Sequence, residues 1–86
     1  SEYPCYDLCI EALKIGKNAT TIINAANEVA VEYFLQNKIK FTDIPVIIKY
    51  ILKQSKIRNI SNISDILKYD IETRNLTEQL INTKWK

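Results

Sequence analysis

The sequence predicts an all-α fold, a small helical bundle of four to five helices around one apolar central helix. Two observations lead to this prediction. The run 19–35 contains no Gly or Pro and is apolar nearly all the way round, which is typical of a helix in the middle of a bundle. On both sides of this run, apolar residues recur at helical spacing, and no alternating pattern of useful length predicts a strand.

The first helix is predicted to begin at Pro4 and to end at Ile15. Proline is favoured at the first helical position, because the N–H group that it lacks has no partner within the helix there. Gly16 is the predicted C-terminal cap, since glycine readily adopts the left-handed conformation that ends many helices. The apolar face of this helix is predicted to consist of Leu8, Cys9, Ala12 and Leu13.

The central helix is predicted over 19–35, with Asn18 as its N-cap. Three polar residues, Asn24, Asn27 and Glu28, stand at positions i, i+3 and i+4 and therefore share one face of this helix. Buried polar groups need hydrogen-bond partners, so we predict an inter-domain or buried polar contact at this face. A network that fixes the register between helices and a docking surface for another domain both fit the pattern, and the residues leave the two open.

A third helix is predicted after a short extended link, 39–41. Thr42 is its predicted N-cap, Asp43 lies in the first turn where the helix dipole favours a negative charge, and the helix runs to about Gln54. Residues 55–63 are polar with scattered isoleucines and are interpreted as a loop. The residues that this helix is predicted to bury are Ile44, Ile47, Ile48, Ile51 and Leu52.

The C-terminal part is predicted as two separate helical pieces. Ser64 caps a short turn through Lys68, and Asp70 then serves as the N-cap of a last helix with Glu72 in its first turn. The expected apolar stripe of this last helix is Ile71, Leu76, Leu80 and Ile81, and Trp85 is expected to anchor the end of the helix.

Size and charge exclude several classes of protein. A chain of 86 residues makes a single domain, 1–86. The net charge of +2, with both signs spread along the chain, is too weak for an electrostatic nucleic-acid or membrane partner. Cys5 and Cys9 stand one helical turn apart, which is poor disulfide geometry, and we interpret them as small core residues in a reducing compartment.

The chain contains few of the residue types that catalytic, metal-binding or phosphate-binding sites require. The chain has no histidine, which excludes Ser–His and Cys–His nucleophile pairs, and its one glycine excludes a glycine-rich phosphate loop. Glu28 and Glu32 are one turn apart and could share a metal ion, but a solvated or inter-domain pair is favoured because no further ligands lie nearby. We therefore expect no catalytic, cofactor-binding or metal-binding residue in this chain.

Several short motifs follow one another in an order that is similar to a known family. They are Tyr-Pro-Cys at 3–5, Ala-Thr-Thr at 19–21, Asn-Ala-Ala-Asn-Glu at 24–28 and Phe-Thr-Asp-Ile at 41–44. Together they closely resemble the C-terminal helical domain of 1-deoxy-D-xylulose 5-phosphate reductoisomerase. The resemblance is strong from Tyr3 to about Ile48 and continues weakly through 64–67, Asp70 and Arg74.

The resemblance implies that the chain is the non-catalytic C-terminal part of a longer, multi-domain enzyme. Such an enzyme converts 1-deoxy-D-xylulose 5-phosphate to 2-C-methyl-D-erythritol 4-phosphate in non-mevalonate isoprenoid biosynthesis, with NADPH and a divalent metal, Mg²⁺ or Mn²⁺. The implied partner is the catalytic domain of the same chain, within a homodimer in bacterial cytoplasm or a plastid-type organelle. No position of this sequence matches the family's metal-binding or phosphate-binding residues. The alternative is a free-standing helical module that binds other proteins.

Overall fold

The computed structural model describes residues 16–85, together with Asp7 and Ile10. Within 16–85 it contains three helices and no strand: α1 (Ala19–Leu35), α2 (Asp43–Gln54) and α3 (Ile63–Lys84). The all-α class is confirmed, and the predicted count of four to five helices is too high for this part of the chain. The predicted first helix, with Cys5 and Cys9, lies outside the described residues except for Asp7 and Ile10, which are both helical.

Helix α1 is the central helix, as predicted. It packs against both α2 and α3, which contact each other less extensively. The alanines of α1 let the neighbouring helices approach closely, and Ala19, Ala25, Ala26 and Ala30 are all completely buried. Gly16, just before this helix, has a φ of +70°, the left-handed conformation expected of a C-terminal cap.

Helix α2 begins and ends where the sequence predicts. Thr42 occupies the N-cap position, but its φ of −69° and ψ of −15° are already helical, and its side chain makes no capping hydrogen bond. Asp43 instead closes the preceding turn, since its Oδ2 accepts a hydrogen bond of 2.8 Å from the main-chain N–H of Lys40. Four of the five predicted apolar residues are buried, namely Ile44, Ile47, Ile48 and Ile51, while Leu52 is half-buried.

Helix α3 is continuous, so the predicted break before Asp70 is wrong. The helix begins after Asn62, whose side chain accepts a 3.0 Å hydrogen bond from the N–H of Asp65; Ser64 is therefore not the cap. No Gly or Pro interrupts the following 22 residues, and Asp70 pairs with Arg74 one turn later instead of capping a new helix.

The buried residues of α3 also differ from the predicted stripe. Ile71 is 58% exposed, whereas Thr73 and Thr77 are buried, and Thr77 satisfies its hydroxyl by donating to the carbonyl of Thr73 at 2.7 Å. Leu80 and Ile81 are buried as predicted, and Leu76 and Trp85 pack against the core. Among the described residues, no helix combines the length and apolar character needed to cross a bilayer.

Candidate functional site: the polar face of the central helix

The polar face of α1, defined by Asn24, Asn27 and Glu28, lies on the outside of the described domain. Asn24 and Glu28 are exposed and Asn27 is half-buried. This arrangement follows from helical geometry, because the other sides of α1 are covered by α2 and α3. The spacing therefore places the three residues on one face of α1, as predicted.

An arginine from α3 is tied to this polar face. The Nη2 group of Arg74 donates a hydrogen bond to Oε2 of Glu28, and its Nε donates to Oδ2 of Asp70 at 2.8 Å. Both hydrogen bonds raise the pKa of the Arg74 guanidinium above its ordinary value. The bond to Asp70 has the larger effect, and the bond to Glu28 comes next. Because the Arg74 side chain is 38% exposed, the pairs contribute little to stability and serve mainly to fix the guanidinium between two helices.

Glu28 and Glu32, the acidic residues one turn apart on α1, differ in their contacts. The carboxylate of Glu28 is engaged by Arg74, and Glu32 is exposed one turn further along α1. Within the part of the chain that the structure describes, no group of three or more histidine, cysteine, aspartate or glutamate residues could hold a metal ion. The chemistry that this face offers is hydrogen bonding and charge pairing.

Asn18 is a second polar residue with a defined role, and the sequence indicated only its position. Its φ of −86° and ψ of 1° differ from the extended conformation of most N-caps, and its side chain makes no capping bond. The Nδ2 group donates to the carbonyl of Lys56 at 3.0 Å, and Oδ1 accepts from the N–H of Arg58 at 2.9 Å. The main-chain N–H of Asn18 also donates to the carbonyl of Arg58 at 3.0 Å, so one buried residue holds the α2–α3 loop against α1.

A partly open cavity of about 270 Å³ lies beside this contact, between the start of α1, the end of α2 and α3. Its polar lining carries charges of both signs, from Lys56, Arg58 and Glu72. None of the three residues of the polar face lines it, so the cavity and the polar face are separate features.

Comparison with known proteins identifies a family that this chain matches. A family model described as the DXP reductoisomerase C-terminal domain matches residues 1–76. The chain is 45% identical over 74 residues to the 1-deoxy-D-xylulose 5-phosphate reductoisomerase of Shewanella sediminis, covering 86% of this chain and 19% of that protein. The same enzyme from Wigglesworthia glossinidia brevipalpis is 44% identical over 94% of the chain and 20% of its own length. For the enzyme from Baumannia cicadellinicola, the identity is 49%, over 84% of the chain and 18% of its own length.

Proposed function

Because the chain belongs to the family of DXP reductoisomerase C-terminal domains, we propose that it is the helical end of an enzyme acting on 1-deoxy-D-xylulose 5-phosphate. The enzyme rearranges and reduces this substrate to 2-C-methyl-D-erythritol 4-phosphate, with NADPH as hydride donor and Mg²⁺ or Mn²⁺ as the metal. The observation that carries this proposal is the match of residues 1–76 to the family, together with relatives that bear the enzyme's name.

The chain spans about a fifth of the length of the relatives that it matches. We therefore assign substrate, NADPH and metal binding to the other four-fifths of the enzyme, and a supporting role to this domain. A domain of this kind holds the geometry of a catalytic site through packing and hydrogen bonds without touching the substrate. The bacterial origin of the relatives supports a bacterial enzyme of the cytoplasm, which the family resemblance implies to be a homodimer.

The polar face of α1 is the proposed point of contact with the catalytic domain. Asn24 and Glu28 are exposed on a helix that is otherwise the centre of the bundle, which supports this role. Two carboxamides and a carboxylate offer both donors and acceptors, so they can satisfy main-chain groups at the surface of a neighbouring domain. Arg74 holds the carboxylate of Glu28 in place and leaves the two asparagines to make the contact.

The experiment that tests the proposed activity uses the complete protein that contains this chain. The purified protein should oxidise NADPH only when 1-deoxy-D-xylulose 5-phosphate and Mg²⁺ or Mn²⁺ are both present, and a phosphorylated methylerythritol should be recovered as the product. Omission of the substrate or addition of a chelator supplies the control. A folded protein that shows no substrate-dependent oxidation would refute the enzymatic proposal and would favour a helical interaction module.

A further inference from the structure

The first nine residues of α3 include four large apolar side chains that the described domain does not cover. We call these residues the apolar ridge: Ile63, Ile66, Leu67 and Ile71. Their exposed fractions are 74%, 40%, 58% and 58%, respectively. Because they stand at i, i+3, i+4 and i+8, they form one continuous strip along the helix.

The ridge belongs to the part of α3 that precedes the packed part of the helix. The buried residues of α3 begin at Thr73 and continue through Ile81, which lies against the core. Before Thr73, the helix is held at its N-terminus by polar contacts, since Asn62 accepts from the N–H of Asp65 and Asp65 accepts from the N–H of Ser61. The ordered backbone therefore presents an uncovered apolar strip, and contiguous exposed apolar surface marks an interaction site.

Salt bridges connect the ridge to the polar face of α1. Asp70 stands four residues after Ile66 and three after Leu67, so it shares their side of the helix. It binds Arg74, which in turn binds Glu28. One surface thus carries apolar side chains on α3, charged groups at the crossing, and Asn24 and Asn27 on α1. An apolar centre with polar surroundings is the usual composition of a specific protein interface.

We propose that the apolar ridge is the hydrophobic anchor by which this domain docks onto the preceding part of its own enzyme chain. This inference rests on the proposed function, because the relatives supply the occupant: four-fifths of their length lies outside the matched region. The occupant is an apolar patch of that part of the chain, large enough to cover four branched aliphatic side chains. The salt bridges of Arg74 lie at the edge of the contact and set its orientation.

A photo-crosslinking experiment on the complete enzyme identifies what covers the ridge. A benzoylphenylalanine is placed at Leu67, and at Val46 in a control protein, because Val46 is 55% exposed on α2 and is thus a close match for exposure. Irradiation at position 67 should give cross-linked peptides from the part of the chain that precedes this domain, and position 46 should give few or none. Cross-links from position 67 to residues 1–15 or to a second copy of the chain, or none at all, would overturn the proposal.

Charge substitutions test whether the anchor matters for stability and turnover. In the complete enzyme, Leu67→Glu should lower the melting temperature by at least about 4 °C relative to Val46→Glu and should reduce kcat, because a carboxylate would be forced into an apolar contact. Equal melting curves and equal kcat values for the two variants would refute the anchor. The proposed enzymatic activity is tested separately, by the substrate-dependent NADPH oxidation of the unsubstituted enzyme.

Discussion

Asn18 shows how much one buried polar side chain can organise at the scale of a single residue. It is 1% exposed, and its side chain uses both a donor and an acceptor on main-chain groups that lie 38 and 40 residues further along the chain. The sequence placed Asn18 correctly at the start of a helix. Capping rules consider only the next few residues, so they could not reveal that its partners are Lys56 and Arg58.

Replacing Asn18 with Ala should destabilise the protein by about 2–3 kcal/mol, because the Lys56 carbonyl and the Arg58 N–H would both lose their partner. Chemical denaturation of the variant measures this loss. Asn62→Ala is the matched control, since Asn62 makes one exposed capping bond, to Asp65, and its removal should cost only about 1 kcal/mol. Equal losses for the two variants would contradict the role assigned to Asn18.

The limits of α1 and α2, at the scale of elements, could be predicted because they depend on local signals. Helix α1 is a run without Gly or Pro, and α2 has apolar residues at helical spacing and an acidic first turn at Asp43. Helix α3 could not be predicted as one element, because Asp70 carries a capping preference that is outweighed by its pairing with Arg74 and by the absence of any helix breaker. Thr73 and Thr77 of this helix are buried, whereas Ile71 is exposed. Rules that look for apolar residues at helical spacing do not anticipate this choice.

Ala26→Asp should be far more damaging than Lys40→Asp. Ala26 is completely buried in α1, where a carboxylate has no partner, so we expect a loss of about 3 kcal/mol or more. Lys40 is exposed in the link between α1 and α2, and surface substitutions usually change stability by about 0.5 kcal/mol or less. Similar melting temperatures for the two variants would refute the central position of α1.

At the scale of the whole molecule, the question is what the polar face of α1 contacts. The spacing of Asn24, Asn27 and Glu28 allowed the face itself to be predicted. The exposure of this face and its salt bridge could not be predicted. The partner of Glu28 is Arg74, which lies 46 residues away and reaches Glu28 only because α3 packs on α1. Long-range pairings of this kind are properties of the tertiary fold, and local sequence patterns do not encode them.

In the complete enzyme, Asn27→Leu should lower the melting temperature and kcat together, while the KM for NADPH changes little. The reason is that a polar partner in the catalytic domain would be left unsatisfied, at a cost of about 1–3 kcal/mol for each buried group. A melting curve and steady-state kinetics decide the matter. The same substitution at Asn75, an exposed residue of α3 outside the polar face, should change neither quantity. Wild-type behaviour of the Asn27 variant would show that this face is merely solvated.

The contact of Asn18 with the α2–α3 loop also has a consequence for solvent exchange. Amide protons in irregular loops usually exchange quickly, but the Arg58 N–H is held by a buried side chain and can exchange only when Asn18 leaves its site. The Ser61 N–H, three residues on, donates an exposed hydrogen bond to the carboxylate of Asp65 and needs only a local opening. Deuterium uptake followed residue by residue should therefore be much slower at Arg58 than at Ser61. A slow amide in the middle of this loop would report directly on how often the loop and α1 separate.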